Sequence, residues 1–395
     1  MNKPSTNKNI ALLSASQAVV GSQTALMMSV GALVGISLAP DPSLATVPIT
    51  SMVVGTAITA APATFLIHKL GRKNAFMLGT SLSIFAGLIA ATGIFLSSFI
   101  IFCIALAFGG ASAAFGQQYR FAAADSVPEE KKGSAISWVL AGGVIAGFVG
   151  PALARWGREL FVGAEYAGSF LALSGIALLG IVILSQTKLA KPHEEHEKTS
   201  KTPFLKVLRS PDIFIPMISG IVTYSLMTFI MVAAPLAMVV VCGHSKDAAT
   251  TAVQWHIISM FAPSFFTAFI IAKIGARAMT GVGLALILGS VLIALNGISI
   301  SHFNFAMILL GVGWNFGFIG STALLSQGYR PQDAMRVQAL NEQLIFGTMA
   351  VASIGSGVLL QTIGWQAINI FAIPVITATL ALLAFGDWYD RRVSS

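Results

Sequence analysis

Residues 106–157 read LAFGGASAAFGQQYRFAAADSVPEEKKGSAISWVLAGGVIAGFVGPALARWG, and residues 310–365 read LGVGWNFGFIGSTALLSQGYRPQDAMRVQALNEQLIFGTMAVASIGSGVLLQTIGW. Each is an apolar, glycine-rich segment, a short charged hinge, then a second apolar, glycine-rich segment. Gly150 and Gly157 recur as Gly357 and Gly364, 207 positions later, which is about half of the chain. A repeat at half-length in an apolar sequence implies two similar halves with a shared path between them.

Composition names the solvent. Of 395 residues, 55% are apolar and 10% charged, against about 25% charged in a soluble domain. So few charges cannot cover a water-facing surface, and the surrounding medium is lipid. The 38 glycines suit helices that pack closely in a bilayer. Two cysteines, Cys103 and Cys242, stand far apart in apolar surroundings and support neither a disulfide framework nor a metal site. Lys3 and Lys8 precede an apolar run that Gln17 and Gln23 interrupt. That run is too long for a signal peptide, so a retained first span is expected.

Twelve apolar segments reach the roughly 20 residues a crossing helix needs, the first at 10–38 and the last at 364–386. The long polar run 188–210 divides them six and six. The expected organisation is therefore a bundle at 1–187, a cytoplasmic linker at 188–210 and a bundle at 211–395. The fold class is all-α, with twelve transmembrane helices in two pseudo-symmetric six-helix bundles. With the N-terminus in the cytoplasm, only Arg155, Arg158 and Lys246 of the 23 basic residues fall outside. Both termini are then cytoplasmic, in a multi-pass inner-membrane protein. The net charge of +8 is spread over the inner loops as a topology signal, so no nucleic-acid patch is implied. The run HEEHE at 193–197 sets its histidines three apart beside Pro192 and Pro203, and a zinc helix needs i and i+4. It reads as a solvated linker. There is no phosphate-cradling loop and no catalytic set at a common depth, so neither an enzyme nor a cofactor is expected.

The loop HKLGRK at 68–73 resembles the signature between the second and third spans of the major facilitator superfamily. Gly71, Arg72 and Lys73 match its second half, and His68 stands where the family usually has Asp. KIGAR, with Lys273, Gly275 and Arg277, is a weaker echo in the second half. In the fifth span, GGVIAGFVGPAL (142–153) is similar to the antiporter branch through Gly147, Gly150 and Pro151. These allow close helix packing and a bend. QQYRFAAAD (117–125) and GVGWNFGFIG (311–320) resemble bacterial members described as small-solute or riboflavin-like permeases. The resemblance implies a secondary transporter that works by alternating access, with spans one, four, seven and ten lining a central cavity.

On that implication the candidate solute ligands are Gln17 and Gln23 in span one, Gln117 and Arg120 in span four, Tyr224 in span seven, and Trp314 and Asn315 in span ten. Arg120 lies near the inner mouth. It would bind an anionic group, pair as a gate with Glu342 or Asp333, or snorkel at a helix end. Glu342 is the one acid placed inside a span. His256, near the bilayer centre, has an ordinary pKa suited to proton carriage, or is a neutral histidine bonded between helices. Both are proton-coupling candidates. His68, Gly71, Arg72, Lys73, Asp125, Asp333 and Arg336 form the gate and loop set. The expected partners are a small organic solute, anionic or aromatic, protons and the bilayer, for a monomer. Proton-coupled uptake leads. Efflux of drugs or metabolites competes with it, as does a receptor-like protein that does not transport.

Overall fold

The computed structural model describes residues 3–128, 131–189 and 207–394. The 193–197 run, most of the linker, and Glu129 and Glu130 lie outside the described residues. The first six spans are Lys3–Leu38, Val47–Leu70, Arg72–Phe95, Phe99–Gly116, Lys132–Gly157 and Ala167–Ser185. After Gly116 the fourth span continues, past one irregular turn, as Tyr119–Ala124. The seventh is Pro211–Leu236, followed by a widened π turn at Ala237–Val241. The eighth is two arms, Lys246–Phe261 and Ser264–Ile274, bent by 48°. The ninth and tenth are Ala276–Asn296 and Ile300–Gly328.

The last helical run, Ala334–Ser394, is two spans joined at Gly364, where φ is 83° and ψ 176°. Its apolar stretch of 53 residues would reach about 80 Å at 1.5 Å per residue. That is more than twice the hydrocarbon thickness, so the run crosses twice. The described helices thus make twelve crossings, and an even number brings both ends of the chain to one face. That face is called the terminal face here, and the other the far face.

The two halves repeat the same backbone device. Gly71 joins the second and third spans with φ 79° and ψ 156°, and Gly275 joins the eighth and ninth with φ 83° and ψ 156°. Side chains with a Cβ avoid that region, so the shared glycine of HKLGRK and KIGAR is a geometric requirement. The Gly150/Gly357 repeat behaves differently. Gly150 packs on Ser22 and Ala25 of the first span, within its own half, whereas Gly357 packs on Thr46, across to the other half. The repeated sequence keeps the small residue and changes its partner.

Small residues also bring helices within each half together, because lipid supplies no hydrophobic drive for helix association. A Cβ at Gly110 would fall on the Met52 carbonyl oxygen of the second span. The Thr56 hydroxyl donates to the Gly110 carbonyl at 3.0 Å. Gly110→Ala is therefore expected to prise the second and fourth spans apart, at about 1–3 kcal/mol of overpacking. The check is a melting temperature in detergent lowered by several degrees. An unchanged melting curve would show that the two helices separate freely.

Candidate functional site

Three aromatic side chains make a wall in the second half. Trp314 and Phe318 sit four residues apart on the tenth span, which places them on one helix face. Their rings stack, with centroids 5.3 Å apart and planes 13° apart. Tyr224 of the seventh span meets both edge-on, at 5.2 Å and 5.0 Å. Phe261, at the bend of the eighth span, packs against Trp314 at 6.4 Å. Such offset and edge geometries are the favoured ones for aromatic pairs. The indole nitrogen of Trp314 is buried and donates to nothing among the described residues.

Arg120 belongs to the short helix that ends the fourth span, in the first half. It is half-buried, and its guanidinium carbon lies 4.8 Å from the Phe121 ring centre. Its Nε is sealed from solvent and has no partner. Glu342 of the eleventh span and Tyr224 of the seventh, both from the other half, lie within its electrostatic reach. Glu342 is exposed. The structure thus brings together Arg120, Tyr224, Trp314 and Glu342, from four spans and both halves. Gln117, half-buried, caps the fourth span one turn before Arg120.

Of the other amides predicted to bind solute, Gln23 and Asn315 are engaged within the protein. Gln23 is buried. It donates to the Gly109 carbonyl at 2.8 Å and accepts from the Ser83 hydroxyl, which ties spans one, three and four together. Gln17 packs beside Gly142 of the fifth span. Asn315 donates to the Met260 carbonyl and the Ser264 hydroxyl, each at 2.7 Å, and accepts from Thr267 at 2.7 Å. With its polar atoms satisfied inside the protein, Asn315 is placed as a strut. His256 is fully buried. Its Nδ1 lies 2.9 Å from the Met307 carbonyl, which can only accept, so Nδ1 carries the proton. Its other nitrogen is sealed without a partner. The arrangement is that of a histidine bonded between the eighth and tenth spans. Tyr119 points into the first half's core, 3.2 Å from the Thr80 hydroxyl.

At the terminal face the loop set is assembled around Gly71. Arg72 forms an ion pair with Asp125, and Lys73 donates to the Ser185 carbonyl, so one loop grips the ends of the fourth and sixth spans. His68 is exposed at the end of the second span. Asp333 is buried, with one carboxylate oxygen unpartnered, and Arg336 is half-buried.

Polar ties between the halves gather toward the far face. Arg158 reaches Asp247 at 2.7 Å, Lys246 reaches Glu165 at 2.5 Å, and Arg155 donates to Gln254 at 3.0 Å. Across the molecule Thr50 and Ser353 share a hydrogen bond of 2.9 Å. In the same seam Gly143 faces the Phe261 ring, and Gly147 faces Ile257 and Ile258. None of these pairs carries a sequence motif. The one signal is that Arg155, Arg158 and Lys246 are the basic residues that break the orientation rule, with Glu159, Glu165 and Asp247 on the same side.

Comparison with known proteins adds lineage to this geometry. Residues 13–347 match the family model described as Major Facilitator Superfamily. The riboflavin transporter RfnT of Brucella anthropi is 42% identical over 378 residues, covering 95% of each chain. The nucleoside transporter NupG, solved as its D323A mutant, has a TM-score of 0.75 at 11% identity, covering 96% of this chain and 98% of that one. The xylose transporter XylE from E. coli, in a partially occluded inward-open conformation, has a TM-score of 0.72 at 13% identity, covering 98% and 99%. Twelve crossings in two repeated halves, a glycine-turned basic loop at the terminal face and a match over most of the chain have one reading: this is a transporter, and it belongs to the major facilitator superfamily.

Proposed function

We propose that the chain takes up a flat heteroaromatic solute of the riboflavin type across the bacterial inner membrane, by alternating access coupled to protons. The observation that carries this reading is the wall of Tyr224, Trp314 and Phe318, with Arg120 of the other half within electrostatic reach of Tyr224. A planar ring system stacks on aromatic faces. The unpartnered Nε of Arg120 and indole N–H of Trp314 are donors for ring carbonyls and nitrogens, which such a solute carries at its edge. A relative 42% identical over nearly the whole chain, named a riboflavin transporter, points the same way.

The basic residues make the terminal face cytoplasmic. The ties toward the far face then close the outside, and the solute leaves inward from this state. Residues 1–187 and 211–395 are the two rocking units, with 188–210 as the tether. Each chain holds every residue of the site, so a monomer suffices. Glu342, exposed and within electrostatic reach of Arg120, is the group assigned to proton coupling. His256 is sealed between the eighth and tenth spans and is not. The test is radiolabelled riboflavin uptake into proteoliposomes. Accumulation is expected with an acidic exterior and only equilibration without the gradient. Glu342→Gln is expected to keep exchange and lose accumulation. Folded protein that neither binds nor moves riboflavin would overturn the substrate assignment.

A further inference from the structure

The eighth span is broken between Phe261 and Ser264, where Pro263 has no N–H to continue the ladder. One side chain bridges the break. The Asn315 amide donates to the Met260 carbonyl on the first arm and to Ser264 Oγ on the second, and it accepts from Thr267, also on the second. A flipped amide would set its oxygen against the Met260 carbonyl, so the donor assignment is forced. The first arm has further anchors on the tenth span, through His256 to Met307 and Ser259 against Gly311. The second arm has little else: Thr267 is the one buried residue in Ser264–Ile274, and its hydroxyl is the group that holds Asn315.

Asn315 is also the neighbour of Trp314, and Phe261, the last residue of the first arm, stands between Trp314 and Gly143 of the other half. We propose that Asn315 is a positioning residue for transport: it pins the terminal-face arm of the eighth span, Ser264–Ile274, to the aromatic wall, so that the arm moves when the wall is filled. It does not bind the solute. This assignment rests on the uptake reading above only for what fills the wall.

The pin is tested by two variants and two readouts. Thr267→Val keeps the shape and removes the hydroxyl, and Asn315→Ala removes the amide. Hydrogen–deuterium exchange, measured without solute, is expected to rise about tenfold in 264–274 in Thr267→Val, as one hydrogen bond of about 1–1.5 kcal/mol is lost, and at least as much in Asn315→Ala, which also loses the bond to Ser264, with 246–256 unchanged in both. Riboflavin affinity is expected to stay within about threefold while uptake turnover falls about tenfold. The double variant is expected to match Asn315→Ala, because the Thr267 hydroxyl acts on the pin through Asn315. Unchanged exchange in 264–274 for Thr267→Val would overturn the pin, and that variant decides if Asn315→Ala does not fold. Affinity lost in proportion to turnover would make Asn315 a ligand and overturn it as well. A wild-type protein that ignores riboflavin would sink the substrate reading alone, since the exchange measurement needs no solute.

Discussion

Arg120→Ala is expected to weaken riboflavin binding by about ten- to a hundredfold and to abolish measurable uptake. A hydrogen bond to a charged donor contributes about 1.5–3 kcal/mol, which converts to that range. Three roles compete for this residue, and each predicts something different of its neighbours. A snorkelling arginine would carry its head into interfacial water, yet Arg120 Nε is sealed from solvent and unpaired. A gate partner of Glu342 would need the ion pair, and here the two groups attract with no direct hydrogen bond between them. A ligand would hold a donor in reserve near a stacking wall, which is the role proposed for Arg120, whose Nε has no partner among the described residues.

Substitutions can test this ranking. Arg120→Lys replaces a planar fork by a point charge and is expected to recover only part of the affinity. Exchanging the charges, Arg120→Glu with Glu342→Arg, would restore uptake if the pair served only as a gate. The expected outcome is no recovery, because the donor would then stand on the wrong half. Equilibrium binding by quenching of riboflavin fluorescence, in detergent, is the measurement. Wild-type affinity in Arg120→Ala would remove it from the site.

The twelve spans were readable because crossing a bilayer imposes length and apolarity on a continuous stretch, and both are local properties. Position along a span is also local: Arg120, Glu342 and His256 could be counted from span ends. Azimuth was not. Gln23 and Asn315 look like free ligands in the sequence because their partners are the Gly109 and Met260 carbonyls, backbone groups that no residue type announces. His256 is the same case, with Met307. Phe318 was within reach, since it lies one helical turn beyond Trp314. The far-face ties needed both halves at once: Arg158 and Asp247 could be put on one side of the membrane, but only the fold brings them to 2.7 Å.

Gly147→Leu is expected to cut uptake by about tenfold or more while leaving the protein folded and able to bind solute. The glycine-rich stretch of the fifth span has two faces. Gly142 and Gly150 pack on the first span, inside their own half, and Gly143 and Gly147 pack on the eighth span, across the seam. A Cβ at Gly147 would already stand 2.9 Å from Ile258 Cγ1 and 3.3 Å from the Ile258 amide. A leucine adds three further carbons in that gap. Overpacking of about 1–3 kcal/mol then falls only on states in which the far face is closed, and it shifts the balance of states by roughly five- to a hundred-and-fiftyfold. The closed far face can be read directly, because Thr50 and Ser353 are in hydrogen-bond contact at 2.9 Å. Cysteines at those two positions are expected to cross-link readily in an otherwise native chain and poorly beside Gly147→Leu. Gly150→Leu is the control: its Cβ would meet the Ser22 carbonyl at 2.6 Å within the same half, so it is expected to lose folded protein rather than shift a balance. Unchanged uptake and cross-linking in Gly147→Leu would mean that the fifth and eighth spans do not form the surface on which the halves move.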